Sequence, residues 1–179
     1  MFYIILGNII ALIASLIMVY TGLIKSRKKI IYVQTIQILL FAFSCFILGG
    51  YSGMIVNIVC AIRNILSYRN KLGLKEKIIL SIIGGFISIY FNNLGFIGLL
   101  PVIGTTVYIW FINVKDVVKF KILNTFTITL WAIYDFNILS YTSVFFDSMT
   151  IIANIYSIKL IKDNEKRKKK KTIFNLLDY

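Results

Sequence analysis

Every one of the twenty lysines and arginines in this chain of 179 residues falls on one side of a seven-segment hydrophobic pattern. Hydropathy divides the chain into 2–24, 30–48, 52–68, 78–91, 94–114, 120–139 and 141–161. The connections alternate between basic and uncharged. Lys25, Arg27, Lys28 and Lys29 join the first two segments, and Arg69, Lys71, Lys75 and Lys77 follow the third, with Arg63 in its last turns. Lys115, Lys119 and Lys121 follow the fifth segment, and eight more cations run from Lys159 to Lys171. The turns at Gly49-Gly50-Tyr51, Phe91-Asn92-Asn93 and Ser140-Tyr141 carry no charge. Anionic lipid and the membrane potential retain short basic loops on the cytoplasmic side. The pattern predicts an all-α, polytopic membrane protein with seven transmembrane helices, its N-terminus outside and its C-terminus in the cytoplasm.

Composition agrees. The chain is 59% hydrophobic with a mean hydropathy of +0.84, and a soluble domain so apolar would not stay dispersed. Several segments approach the ~20 apolar residues that cross ~30 Å of hydrocarbon. Segments three and four are shorter, so they must stand upright, be shielded by neighbours or extend into flanking polar residues. The net charge of +13 is absorbed by the loop asymmetry, which makes membrane lipid rather than nucleic acid the expected partner. Residues 2–24 lack a basic leader and a small-residue cleavage site, so they read as a retained helix. Cys45 and Cys60 lie inside segments and are expected to be buried thiols rather than a disulfide or a metal pair. Histidine is absent, which removes the commonest general base and metal ligand. No nucleophile–base set or phosphate-cradling glycine loop is visible, so no catalytic residues, metal site, cofactor or enzymatic activity are expected.

Displacing the chain by ninety positions aligns 9–71 with 99–161 without a gap. Lys25 meets Lys115 and Thr35 meets Thr125 around an inner loop; Ala42, Phe46 and Tyr51 meet Ala132, Phe136 and Tyr141 around an outer turn. Asn64 and Ser67 meet Asn154 and Ser157, Ser15 meets Thr105, Phe41 meets Trp131, and Asn57 meets Asp147. Three spans invert a following copy, and one extra helix restores it. The expected architecture is a transmembrane domain over 1–161, with a first three-helix repeat at 2–71, a linker helix at 78–91 and a parallel second repeat at 94–161. Residues 162–179 follow as a basic cytoplasmic tail. Two repeats in one chain remove the need for a dimer to complete a pore, although a homo-oligomer is left open.

This arrangement resembles the SWEET and PQ-loop transporters. The resemblance implies an aromatic on the second helix and an asparagine on the third helix of each repeat, facing a central pocket. Trp131 precedes Asp147 by sixteen residues, and Phe41 precedes Asn57 by the same interval. Pro101-Val102 keeps only the proline of that family's Pro-Gln pair, Ala11-Leu12 has neither residue, and Asp147 replaces the second asparagine. The last change argues against a neutral sugar. The chain is also similar to the YgjV-type family of bacterial inner-membrane proteins in three places: Leu99-Leu100-Pro101-Val102-Ile103-Gly104-Thr105, Ala61-Ile62-Arg63 and Leu130-Trp131-Ala132-Ile133. That resemblance covers the membrane portion and implies residence in the bacterial inner membrane.

Polar residues inside these spans carry the functional expectation. Counted from the outer turns at 1.5 Å per residue, Asp147 lies ~9 Å and Trp131 ~12 Å deep, against ~8 Å for Asn57 and ~10 Å for Phe41. Asn57, Asn64 and Ser67 share one helical face, repeated by Asp147, Asn154 and Ser157. Neither stripe can face lipid. An ionised mid-span aspartate costs ~2.5–3.5 kcal/mol, so Asp147 must be hydrated, paired or protonated. The substrate-binding candidates are Phe41, Asn57, Asn64, Trp131, Asp147 and Asn154. The bland alternatives are interhelical hydrogen bonds for the polar residues and core packing for the aromatics. Asp135 is expected to reach water, Arg63 to snorkel or pair at an inner gate, and Tyr108 and Trp110 to sit in an interfacial belt. Pro101 and Gly104 are hinge candidates, with fixed packing as the alternative, and Gly84-Gly85 should seat the linker helix. Together these residues point to a transporter or facilitator of an unknown small polar solute, working by alternating access. A non-transporting scaffold that kept the fold is the second reading.

Overall fold

Hydrocarbon leaves a backbone no partner but itself, and the apolar runs of this chain satisfy their amides as helices. The computed structural model describes residues 1–21, 27–111 and 116–177. Those residues form seven helices: α1 (Phe2–Thr21), α2 (Arg27–Ile47), α3 (Tyr51–Tyr68), α4 (Leu74–Tyr90), α5 (Phe96–Phe111), α6 (Val117–Asn137) and α7 (Tyr141–Leu177). Lys25 and Lys115, aligned by the ninety-residue offset, lie outside the described residues. By length and apolarity, Phe2–Tyr20 and Tyr141–Asn164 suffice to cross a membrane, while Ile31–Ile47 and Phe96–Phe111 are apolar but shorter. The expectation of seven full-length spans is thus met by two helices on this criterion. The reason is visible in the elements: α2 and α6 open on charged turns, and α4 and α5 have only 17 and 16 residues.

Six of the helices close a ring. α1 packs on α2, α2 on α3, α3 on α5, α5 on α6, α6 on α7, and α7 back on α1. α4 stands outside it, against α3 and α5. A Cβ on Gly84 would lie 2.7 Å from Val59 Cγ2, so the absence of a side chain there lets α4 seat on α3. α3 and α5 run the same way, since Cys60 meets Thr105 and, one turn on, Arg63 meets Tyr108.

The uncharged turns gather at one end. Asn93 Nδ2 donates to the Gly49 carbonyl at 2.7 Å, Asn8 Nδ2 to the Leu139 carbonyl at 2.8 Å, and Ser44 Oγ to the Gly7 carbonyl at 2.8 Å. α2 and α6 finish alike. The Gly50 amide reaches back to the Cys45 carbonyl at 2.8 Å, and the Ser140 amide to the Asp135 carbonyl at 2.9 Å. Each turn passes through a left-handed residue, Gly49 at φ +76° and Leu139 at φ +60°. Glycine takes that conformation without strain; leucine does not. Tyr134, Cys45 and Ile138 form a buried apolar cluster beneath these turns, flanked by Leu48, Met54, Leu94, Ile97 and Trp131.

At its other end α7 continues to Leu177, through the lysine run. The expected boundary at 161 does not interrupt the helix. No glycine or proline occurs between 162 and 177, and Lys, Arg and Glu are good helix formers.

Candidate functional site

Inside the ring lies a cavity of ≈ 180 Å³ beneath the uncharged turns. α2 contributes Phe41 and Cys45, α3 contributes Asn57, α6 contributes Trp131 and Asp135, and α7 contributes Ser143 and Asp147. A second cavity of ≈ 240 Å³ lies toward the basic ends of the helices, walled by Gln34, Cys60, Arg63, Thr105, Tyr108, Asn124 and Thr127. Met18, Gln37, Ile38, Ile128 and Trp131 border both spaces. The two chambers therefore meet at a waist made largely of apolar side chains.

Four of the residues expected at a central site, Phe41, Asn57, Trp131 and Asp147, come together on the first cavity. Asn57 is buried; its Nδ2 donates to the Gly53 carbonyl at 3.0 Å and lies 3.8 Å from Cys45 Sγ. Trp131 is wedged by an edge contact with Tyr134, ring centroids 5.9 Å apart. Asp147 remains half-buried on the cavity wall.

Other expectations need correction. Asn64 and Asn154 are buried but line neither cavity. At their depth the wall is made by Arg63 and by side chains of α1, α2, α5 and α6, so a straight polar stripe does not stay on the chamber. Asn64 Oδ1 instead accepts from Arg63 Nε and Nη2 at 3.2 and 3.0 Å. Arg63 does not snorkel. It is 7% exposed, and its guanidinium lies over the Tyr108 ring, 5.2 Å from the centroid. A planar cation can stack on an aromatic face and donate edgewise at once, which holds it inside the bundle. Tyr108 is accordingly drawn into the second cavity, whereas Trp110 stays exposed.

Asp135 is turned into the bundle rather than out to the surface at the uncharged turns. It is 6% exposed and shares the first cavity with Asp147. Among the described residues, no hydrogen-bond donor and no cation engages either carboxylate. Cys45 and Cys60 are buried, unpaired thiols, one on each cavity. Among the described residues no three His, Cys, Asp or Glu side chains converge as a metal site would require.

Pro101 is fully buried inside α5, and a Cβ on Gly104 would meet Thr127 Cγ2 at an ordinary 3.4 Å. Close approach therefore does not require glycine at 104.

The ninety-residue offset runs through the cavity walls. Met18 and Tyr108, Gln34 and Asn124, Gln37 and Thr127, Ile38 and Ile128, Phe41 and Trp131, Cys45 and Asp135, and Asn57 and Asp147 are all related by it. Polar pairing at that offset was the signal that would have found Gln34, Gln37, Asn124 and Thr127 without coordinates.

The family model described as Imp-YgjV, a bacterial inner membrane protein, matches residues 5–165. No curated protein and no solved structure matches the chain.

Proposed function

The chain belongs to the Imp-YgjV family of bacterial inner membrane proteins, and from that premise we propose a small-solute transporter working by alternating access. All seven helices cross the membrane, the shorter ones shielded by their neighbours, with the N-terminus outside and the basic loops and C-terminus in the cytoplasm. Helices α1–α3 and α5–α7 are two parallel repeats joined by α4, in the manner of SWEET and PQ-loop proteins. The solute is polar and binds among Phe41, Asn57, Trp131 and Asp147.

One observation carries this reading. Seven residue pairs ninety positions apart, one member from each triplet, contribute to the walls of the two cavities. A scaffold needs its helices packed, but packing alone gives no reason to keep paired polar side chains around an open axis. Each such group excluded from solvent needs a partner, and a bound solute supplies it.

The contacts support a particular stage of the cycle. On the outer side the triplets are tied by Asn8, which bonds the Leu139 carbonyl and accepts the Thr142 amide at 2.9 Å, and by Tyr134 bonded to the Gly53 amide. Toward the cytoplasm the triplets also meet, through contacts that include the long Cys60–Thr105 approach of 3.9 Å and the Arg63–Tyr108 stack. We read this as a state closed outside, in which rocking of one triplet against the other would break the outer ties and expose the first cavity.

The test is uptake by proteoliposomes holding the full chain, across a panel of sugars, amino acids, amines and vitamins. At least one solute should enter above empty liposomes, and its flux should fall tenfold or more in Asn57→Ala and Asp147→Asn. Flux unchanged in both variants would remove the proposed site. A stoichiometric partner protein with no flux for any solute would favour a scaffold.

A further inference from the structure

The two carboxylates of the first cavity deepen that reading. Asp135 comes from the last turn of α6 and Asp147 from the second turn of α7, so consecutive helices present them to one cavity. The other charged or titratable groups around it are few. α2 offers the Cys45 thiol; α3 offers none at this level, its Arg63 standing in the second cavity against Tyr108 of α5; α1 offers none, lining the cavity with the uncharged Met18; and the Tyr134 hydroxyl is turned away to Gly53. No basic side chain lines the first cavity. Asp135 is more than nine-tenths buried on that wall and is met by no donor among the described residues.

Two negative charges on one cavity within a bundle that spans hydrocarbon call for positive charge from elsewhere, either protons or a cation. The remaining wall suits the second. Trp131 and Phe41 present aromatic surface on the same cavity, and an aromatic face attracts a weakly hydrated organic cation. A neutral polyol would find two carboxylates, the Gln37 and Asn57 amides and the Ser143 hydroxyl, but would bring nothing to offset the negative charge.

We propose that the solute is a small organic cation, an amine or quaternary ammonium, which takes the cavity in exchange for the proton that the Asp135–Asp147 pair otherwise holds. The proposal rests on the transport reading for its direction of use, but its binding step stands alone. A proton leaving the pair goes to water on the side where the cation entered, and a proton from the opposite side takes the cation's place on release. Cation and proton thus compete, so binding weakens as pH falls. Arg63 stands on the cytoplasmic path, where its charge opposes a cation at rest in the second cavity and favours residence in the first.

The experiment uses the full chain in nanodiscs, with intrinsic tryptophan fluorescence as the readout and choline as the probe. Its neutral carbon isostere, 3,3-dimethyl-1-butanol, is the control. Choline should change the emission saturably, at least tenfold more tightly than the isostere, and its apparent affinity should fall as the buffer is acidified from pH 8 to pH 6. Asp147→Asn and Asp135→Asn should each weaken it tenfold or more while melting as the parent does. Trp110→Phe should leave the signal in place and Trp131→Phe should remove it. Equal binding of the isostere, affinity independent of pH, or unchanged choline affinity in both Asn variants would overturn the proposal. Should an Asn variant not fold, displacement of choline by protons in the parent decides alone. Choline binding without flux in liposomes would sink the transport reading and leave the cation site; flux of a neutral solute that choline neither inhibits nor accompanies would do the reverse.

Discussion

The phenol oxygen of Tyr134, on α6, accepts the backbone N–H of Gly53, on α3, at 2.9 Å. The first amides of a helix have no partner within it, and Gly53 lies in the opening turn of α3. A side chain from the opposite triplet therefore does the work of a cap. Glycine is required there, because a Cβ on residue 53 would lie 2.5 Å from the Tyr134 ring.

Tyr134→Phe keeps the ring and leaves the Gly53 amide bare, which should cost about 1–3 kcal/mol. Thermal unfolding of the purified protein reads that loss. Gly53→Ala should destabilise at least as much, by forcing the ring aside. A Tyr134→Phe variant as stable as the parent would show that water or another group reaches this amide.

Glycines 84 and 104 should respond oppositely to alanine. At 84 the new methyl runs into Val59, which should cost about 1–3 kcal/mol; at 104 it meets Thr127 at contact distance and should be neutral or slightly stabilising, since it restricts the unfolded chain. Parallel melting curves separate the two. Loss of flux in Gly104→Ala at full stability would instead argue for movement of α5 around Pro101.

Leu139 holds a left-handed backbone at φ +60° where the equivalent turn has Gly49. Such a conformation costs a leucine about 1–2 kcal/mol, and its side chain is exposed. Leu139→Gly should therefore melt higher than the parent, and Gly49→Leu lower.

Arg63→Lys retains the charge but neither the stack on Tyr108 nor the double donation to Asn64. Stability should fall by about 1–2 kcal/mol, again by thermal unfolding. Restoration by a further Asn64→Leu, which removes the stranded acceptor, would assign most of the loss to that hydrogen bond.

Much of this could be read from residues alone, because two periodicities in the chain have simple physical causes. Charge alternates between connections, as sorting by lipid would require. The ninety-residue offset pairs Phe41 with Trp131 and Asn57 with Asp147, and all four line the first cavity. Depth was harder to judge. Asp135 counts as four residues from the end of its segment, yet the turn at Ile138–Ser140 and the Tyr134 cluster cover that end, so proximity along the chain did not mean proximity to water. Arg63 misled for a related reason: snorkelling assumes that a long side chain runs toward water, whereas an acceptor on the next residue and a ring on α5 hold it within. Asn64 and Asn154 kept their helical face but lost the chamber, since a face predicts direction from its own axis and not what stands opposite.

Access to the first cavity from both sides of the membrane is the most direct test. With Cys45 and Cys60 replaced by serine, Ser143→Cys places a lone thiol on that wall, and a membrane-impermeant thiol reagent is applied to sealed vesicles from one face at a time. Modification is expected from the cytoplasmic face and, more slowly, from the outer face, with Tyr134→Phe speeding the outer reaction by loosening the tie to Gly53. A thiol that reacts from neither face, or from one face only whatever happens at Tyr134, would contradict it.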